Sequence, residues 1–480
     1  MLDLLVIGAG FSGICMAVNA HRSGYSYLVL ERAADVGGTW RENTYPGCVC
    51  DSPSHLYSLS FAAKPDWSSR YASQPEILAY LQKTARDFGV IPHIRFGEQV
   101  TDLTYDEQKK FWSIATATGQ IYKARFVVSA VGQFNQPNIP DIPGLNNFGG
   151  TVMHSAQWDH DYDFNGKSVA VIGTGSSAVQ IVPQLADKAS HLTVFQRTPR
   201  WIVGKNNRRF GFWQRFVFRY FPFVKWAYRL KIHWDQEKAW PALLRESMQK
   251  TERTAALTAE MKEKVADVRL ARKLIPEHPP GYRPILLTDD YLPILQRNDV
   301  DLVTDGISRI DKDAVVTDSG DRIPVDCIVM ATGFKSHDFL PGINVTGRCA
   351  CNLHRQWQLT GGAEAYLGIT APFFPNLFFM FGPNTNLSHT SVIFMLECQT
   401  NYVIEAIKTV QEKNASSIEV MRSAEERLYS SLGYWIFLTV WENEHIGKHG
   451  DKIANYYWPK RTRDYWWKTL TIDEDHYMIS

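Results

Sequence analysis

Apolar positions along the chain fall in short runs separated by glycine-rich turns, and one order recurs. Leu4 to Ile7 reads as a strand, Gly8-Ala9-Gly10-Phe11-Ser12-Gly13 as a turn, and Ile14 to about Ser23 as a helix stopped by Gly24, with Tyr25 to Leu30 the next strand. The same order returns in Lys167 to Ile172, the turn Gly173-Thr174-Gly175-Ser176-Ser177-Ala178, a helix from Val179 to about Lys188, and the strand Leu192 to Phe195. Between the two, Gln74 to Phe88 has the spacing of an amphipathic helix, and Val100 to Tyr105 and Phe111 to Ala117 read as a hairpin across a charged turn. Ala124 to Ala130 is a further apolar strand. Gln236 to Leu274 reads as charged helix, Val325 to Gly333 as strand, Pro375 to Thr385 as strand and turn, and Ser391 to Val410 as helix. The pattern predicts an α/β protein with two dinucleotide-binding, Rossmann-like domains.

The turn residues fit that reading chemically. Gly8 permits the tight turn, Gly10 lets the backbone approach a pyrophosphate, and Gly13 lets the helix pack on the strand. Glu31 ends the second strand about twenty residues on, where a carboxylate accepts hydrogen bonds from ribose hydroxyls. In the second unit Ala178 takes the third glycine's place, and Gln196-Arg197-Thr198 stands where the first has Glu31. A carboxylate repels a 2′-phosphate, whereas a guanidinium binds it through paired, charge-assisted hydrogen bonds. The second unit is therefore expected to take NADPH, with Arg197 and Thr198 on the phosphate.

Composition narrows the classes. A chain of 480 residues, 45% hydrophobic and 21% charged, buries a large core and divides into about two to four domains. A formal net charge of +1 offers no global field for nucleic acid. The seven cysteines include no Cys-x-x-Cys pair, and the two Cys-x-Cys pairs are not spaced for zinc, so reduced thiols and no metal are expected. The first residues enter a strand without a signal-peptide pattern, and no apolar run reaches the roughly 18 residues of a membrane span; a soluble, cytoplasmic protein is expected. One stretch changes the picture. From Asn206 to Trp240, Arg208, Arg209, Arg215, Arg219, Lys225, Arg229 and Lys231 are interleaved with aromatics, and no acid appears before Asp235. It fits either an amphipathic helix pair in peripheral contact with a membrane or a helical insert packed on the body.

Two longer patterns are more specific. Phe148, Gly150, His154, Trp158 and Asp159 occupy the fixed places of F-x-G-x-x-x-H-x-x-x-W-(P or D), and Gly37, Gly38, Trp40, Tyr45, Pro46, Gly47 and Asp51 those of (A/G)-G-x-W-x-x-x-x-(F/Y)-P-(G/M)-x-x-x-D. Both resemble fingerprints of the type I Baeyer–Villiger monooxygenases, and shorter matches extend the resemblance over nearly the whole chain. The resemblance implies an FAD-binding domain in two parts, 1–147 and 336–480, interrupted by an NADPH-binding domain, 148–335, with a helical insert at about 206–275. It implies cofactor contacts at Gly8, Gly10, Ser12, Gly13, Glu31, Gly38, Thr39, Trp40, Asp51, Tyr57 and Val100 for FAD, and at Gly173, Thr174, Gly175, Ser176, Ser177, Gln180, Arg197, Thr198 and Arg283 for NADPH. Phe148, Gly150, His154 and Trp158 would couple the domains. The implied reaction converts a small-molecule ketone to an ester or lactone with NADPH and O2 through a C4a-peroxyflavin, Asp51 and Arg283 setting the local charge. Pro284 departs from the pattern, standing where similar enzymes place an arginine that pairs with the aspartate matching Asp51. Either Arg283 shifts to serve the flavin, or another cation does, or the Baeyer–Villiger reaction is weakened in favour of N- or S-oxygenation. A flavin-dependent reductase, oxidase or non-catalytic cofactor-binding protein is a third reading. Residues 440–455 depart from the family pattern as well, in a region that shapes the substrate pocket of similar enzymes.

Overall fold

The first apolar run becomes the centre of a sheet because both its faces find cover. Leu2–Ile7 pairs in parallel with Tyr27–Glu31 on one side and Ile121–Ser129 on the other, and Leu4, Leu5 and Val6 are fully buried, as in strands covered on both faces. The structure, a computed structural model, describes residues 1–244, 247–439 and 457–480. The departure noted at 440–455 lies outside them.

The first sheet runs in the order Asn344–Thr346, Val100–Asp106, Phe111–Thr116, Ile121–Ser129, Leu2–Ile7, Tyr27–Glu31, Ile94–Phe96, with Leu377–Phe379 joining Ile121–Ser129. Val100–Asp106 and Phe111–Thr116 form the expected antiparallel hairpin. The second sheet is parallel, in the order Val300–Val303, His191–Phe195, Ser168–Ile172, Cys327–Met330, Thr151–His154. The strap carrying the Phe148 motif is thus the edge strand of this second sheet. Its glycine is sterically required: a Cβ on Gly150 would lie 2.2 Å from the Asp326 carbonyl oxygen and 2.7 Å from the Phe148 ring.

Both nucleotide-type helices form, at Phe11–Arg22 and Ser176–Leu185. Each begins about three residues before the apolar pattern suggests, because the turn residues themselves take up helical conformation. The helix expected from Gln236 to Leu274 is broken. Pro222–Glu237 ends near its start, a 3-10 turn at Trp240–Leu243 holds Pro241, and separate helices follow at Met248–Lys264 and Val268–Leu274. Proline removes a backbone donor, and Asp267 caps the last helix by accepting from the Arg269 N–H at 2.7 Å. Among the described residues no helix is long and apolar enough to cross a membrane.

Candidate active site

The two glycine turns open onto one cavity of about 840 Å³. At the first, Gly8 has φ +101°, and a Cβ there would lie 2.7 Å from the Ala130 carbonyl oxygen; on Gly13 it would lie 1.8 Å from the Gly8 carbonyl oxygen. The helix therefore rests directly on the turn. Its N-cap, Gly10, offers no side-chain acceptor, so the first N–H groups stay available to an anion. The second turn repeats this: Gly173 has φ +112° with a would-be Cβ 2.5 Å from the Ala331 carbonyl oxygen, while nothing lies within 4 Å of a Cβ on Gly175. Gly175 is likewise an N-cap without a side-chain acceptor. Two uncapped helix starts on one cavity, one with clear space above it, fit two dinucleotide pyrophosphates.

Gly8, Gly10, Ser12, Glu31, Gly38, Thr39, Trp40, Asp51, Tyr57 and Val100 line this cavity from the first unit, and Gly175, Ser176, Ser177 and Gln180 from the second. Glu31 is oriented by backbone donors, accepting from Ala9 at 2.6 Å and Ala33 at 2.8 Å. The Trp40 indole N–H donates to the Tyr57 hydroxyl at 3.1 Å with the rings edge to face, and Phe11 packs edge-on against Tyr57 at 5.0 Å. These contacts fix the orientations of the three rings on the wall. Gly13, Gly173 and Thr174 do not line the cavity. Arg197 is exposed just past the strand His191–Phe195, and the Thr174 hydroxyl reaches the Thr198 carbonyl at 3.4 Å.

Gln180 also joins the two units. Its Oε1 accepts from the Tyr45 hydroxyl at 3.1 Å and the Val49 N–H at 3.2 Å, and its Nε2 donates to the Val49 carbonyl at 2.9 Å. A Cβ on Gly47 would lie 2.7 Å from the Gln180 carbonyl oxygen. The second signature segment thus packs on the second unit's helix. His154 acts within the second unit, on the Gly333 carbonyl, which also accepts from the Asn138 N–H of the first unit at 2.8 Å. Its Nδ1 accepts from the Ala156 N–H at 3.0 Å, which leaves Nε2 to donate to the Gly333 carbonyl at 3.0 Å. Burial pushes the imidazole pKa down, against the opposing effect of the Gly333 hydrogen bond. Trp158 stacks on Phe164 at 5.6 Å.

Asp51 has found a cation. The Lys205 ammonium lies 3.1 Å from its Oδ1 and 5.3 Å from the Tyr71 ring centre, with the lysine side chain only 8% exposed. Arg283 does not line the cavity, although Gly281 and Pro284 beside it do. Its guanidinium lies 5.9 Å from the Tyr282 ring centre, and its Nε has no hydrogen-bond partner among the described residues. Of the three alternatives left open by Pro284, the structure pairs another cation with Asp51. Lys205 escaped sequence reasoning because it is 154 positions from Asp51 and belongs to no spaced motif; the gap at Pro284 was its one trace. Lys205 itself is not on the cavity wall, but two residues that are were also missed. Arg253, on Met248–Lys264, lines the cavity with its pKa pushed down by burial. His389 lines it too, its Nε2 3.2 Å from Glu237, which also accepts from the Thr462 hydroxyl at 2.5 Å. Burial opposes ionisation of Glu237, but the hydrogen bonds from His389 and Thr462 outweigh it and hold the carboxyl at about 2.

A family model described as pyridine nucleotide-disulphide oxidoreductase matches residues 5–211. A protein of Pseudomonas aeruginosa named Baeyer-Villiger monooxygenase is 38% identical over 439 residues, covering 91% of this chain and 82% of that one. Among solved structures, an oxidized steroid monooxygenase bound to NADP superposes with a TM-score of 0.90 at 27% identity, and OTEMO in complex with FAD and NADP with 0.89 at 26%; each match covers 100% of this chain and 99% of the other.

Proposed function

The chain belongs to the Baeyer–Villiger monooxygenase family, and from that premise we propose that it inserts one oxygen atom of O2 beside the carbonyl of a small-molecule ketone. The balance is ketone, O2, NADPH and a proton giving ester or lactone, NADP⁺ and water. FAD, when bound, supplies electron transfer from NADPH and the activation of O2. The observation that carries the reading is the meeting of both glycine turns with the Gly37–Asp51 signature on one cavity, with Asp51 on its wall holding a buried ammonium.

We assign residues 1–147 and 336–480 to FAD and 148–335 to NADPH, with the helical insert at about 206–275. The Gly8–Gly13 turn would receive the FAD pyrophosphate and Glu31 its ribose. The Gly173–Ala178 turn would receive that of NADPH, with Arg197 and Thr198 on the 2′-phosphate. Lys205 is itself off the cavity wall, and through Asp51 on the wall its positive charge would act toward the ketone oxygen, which takes up negative charge when its carbon is attacked; preorganised charge of this kind favours the transition state. Trp40 and Tyr57 exclude water from that side. Arg283, outside the cavity wall, is left to the NADPH side. The protein would work in the cytoplasm, touching a membrane only peripherally through residues 206–240.

N- or S-oxygenation is favoured by one residue, Pro284, and opposed by the Lys205–Asp51 pair. Product analysis of the FAD-loaded protein with NADPH, O2 and a panel of ketones and sulfides tests the choice. Ester from ketones is expected; sulfoxide alone, or hydrogen peroxide alone, would overturn the assignment.

A further inference from the structure

The insert carries a surface that oxygen insertion does not use. Helices Phe212–Tyr220 and Pro222–Glu237 form a hairpin, and of the nine residues in the first only Phe218 is buried. The rings of Phe212, Trp213, Phe216 and Tyr220 touch one another in series at 4.7 to 6.4 Å, and Trp213 is 73% exposed. Phe223, Trp226, Leu230 and Trp234 extend the exposed apolar positions along the second helix. A connected exposed patch of this kind marks an interaction site. Its charge is one-sided. Arg208, Arg209, Arg215 and Arg219 are exposed and in no ion pair among the described residues, and no acid occurs from 206 to 234. Lys225 and Arg229 point the other way, donating to the Ala63 and His55 carbonyls at 3.0 and 2.7 Å, and so pin the hairpin to the body.

Exposed tryptophan and tyrosine among arginines, on the outer side of a hairpin pinned to the body, match the chemistry of a lipid headgroup layer: the rings enter the acyl boundary and the guanidinium groups meet anionic phosphates. Beneath the hairpin lies a second cavity, of about 850 Å³. Phe218, Tyr228 and Ile232 line it from the hairpin, and it shares Gln236, Ala239 and His389 with the cofactor cavity.

We propose that this hairpin docks the enzyme on an anionic lipid bilayer, and that the cavity beneath it passes a lipophilic ketone from the bilayer to the cofactor cavity. The source of substrate rests on the monooxygenase reading; the docking does not.

The test is co-sedimentation of the FAD-loaded protein with phosphatidylcholine vesicles with and without 30% phosphatidylglycerol, at about 0.1 M and 1 M salt. The wild type is expected to pellet with the anionic vesicles at low salt and to be released at high salt. The paired variants W213S/F223S and R215E/R219E are expected to lower the bound fraction at least tenfold while oxidising a short, water-soluble ketone at the wild-type rate. Anionic vesicles should raise wild-type turnover of a bilayer-partitioned ketone several-fold and leave that of both variants unchanged. A wild type that stays in the supernatant, or variants that pellet as it does, overturns the docking. So does a concentration-dependent dimer in velocity sedimentation that W213S/F223S abolishes, because the patch would then face a second copy. Docking without stimulated turnover overturns the passage of ketone, and docking with no ester from any ketone shows instead that the monooxygenase reading has failed.

Discussion

Lys205 pairs with Asp51 where Pro284 offers no charge, and substitutions at Lys205 separate its charge from its size. Lys205→Met removes the ammonium and leaves the Asp51 carboxylate without its partner. Ester formation is expected to fall about 100-fold, with NADPH consumption diverted to hydrogen peroxide, whereas Lys205→Arg should keep most of the ester yield. An unchanged ester-to-peroxide ratio in Lys205→Met would show that charge at this wall is supplied elsewhere. Glu425 shows what happens to a carboxyl without such a partner. Burial, and then the neighbouring Glu364, pushes it up from 4.5 to about 8, and its Oε1 has no hydrogen-bond partner among the described residues. Between these values the native chain keeps a proton that the unfolded chain has lost, so stability falls as pH rises from 4.5 through 8. Glu425→Gln should flatten this slope and stabilise the protein at pH 9 by roughly 2–4 kcal/mol, measured by urea unfolding across that range; an unaltered slope would place the titration elsewhere.

Glycines were the most legible part of the sequence because each answers a backbone demand, yet the two turns do not use them alike. Gly13 is needed by the fold itself, since an alanine methyl would collide with the Gly8 carbonyl at 1.8 Å. Gly175 has open space, so alanine there disturbs only what occupies that space. Gly13→Ala is expected to yield protein that is poorly folded or fails to retain FAD. Gly175→Ala should fold with normal Tm and raise KM for NADPH about tenfold or more, and normal KM would remove the pyrophosphate from that turn. The strands and both nucleotide-type helices could be read from apolar runs for the same reason, being dictated locally. What could not be read depends on distance along the chain. The Lys205–Asp51 pair, the Glu237–His389–Thr462 cluster and the split of the Gln236–Leu274 helix arise where remote segments meet or where one proline outweighs a continuous charged pattern. Arg283 shows the converse: its place in a motif gave it a role, but the neighbouring proline and glycine occupy the wall.

Two sheets that each carry a nucleotide-type turn must hold a fixed relation if a hydride is to pass between their ligands, and two side chains bear on that relation. Gln180 holds the Tyr45–Val49 segment directly, whereas His154 acts within the second unit, donating to the Gly333 carbonyl that also accepts from the Asn138 N–H of the first unit at 2.8 Å. The imidazole must be neutral to accept from Ala156 while donating to Gly333, and burial favours that form. Its native pKa lies below the ordinary 6.5, so its contribution to stability is complete above 6.5 and is lost as pH falls through the native value. The tie therefore holds at neutral and mildly acidic pH. His154→Gln keeps size and one donor but not both bonds in their places. It is expected to bind FAD as the wild type does while the rate of flavin reduction by NADPH, followed by loss of yellow absorbance under anaerobic conditions, falls about tenfold. Loss of FAD would instead make His154 a residue of the flavin site. A wild-type reduction rate would leave the relation between the sheets to Gln180, in which case Gln180→Ala, tested the same way, should carry the whole effect.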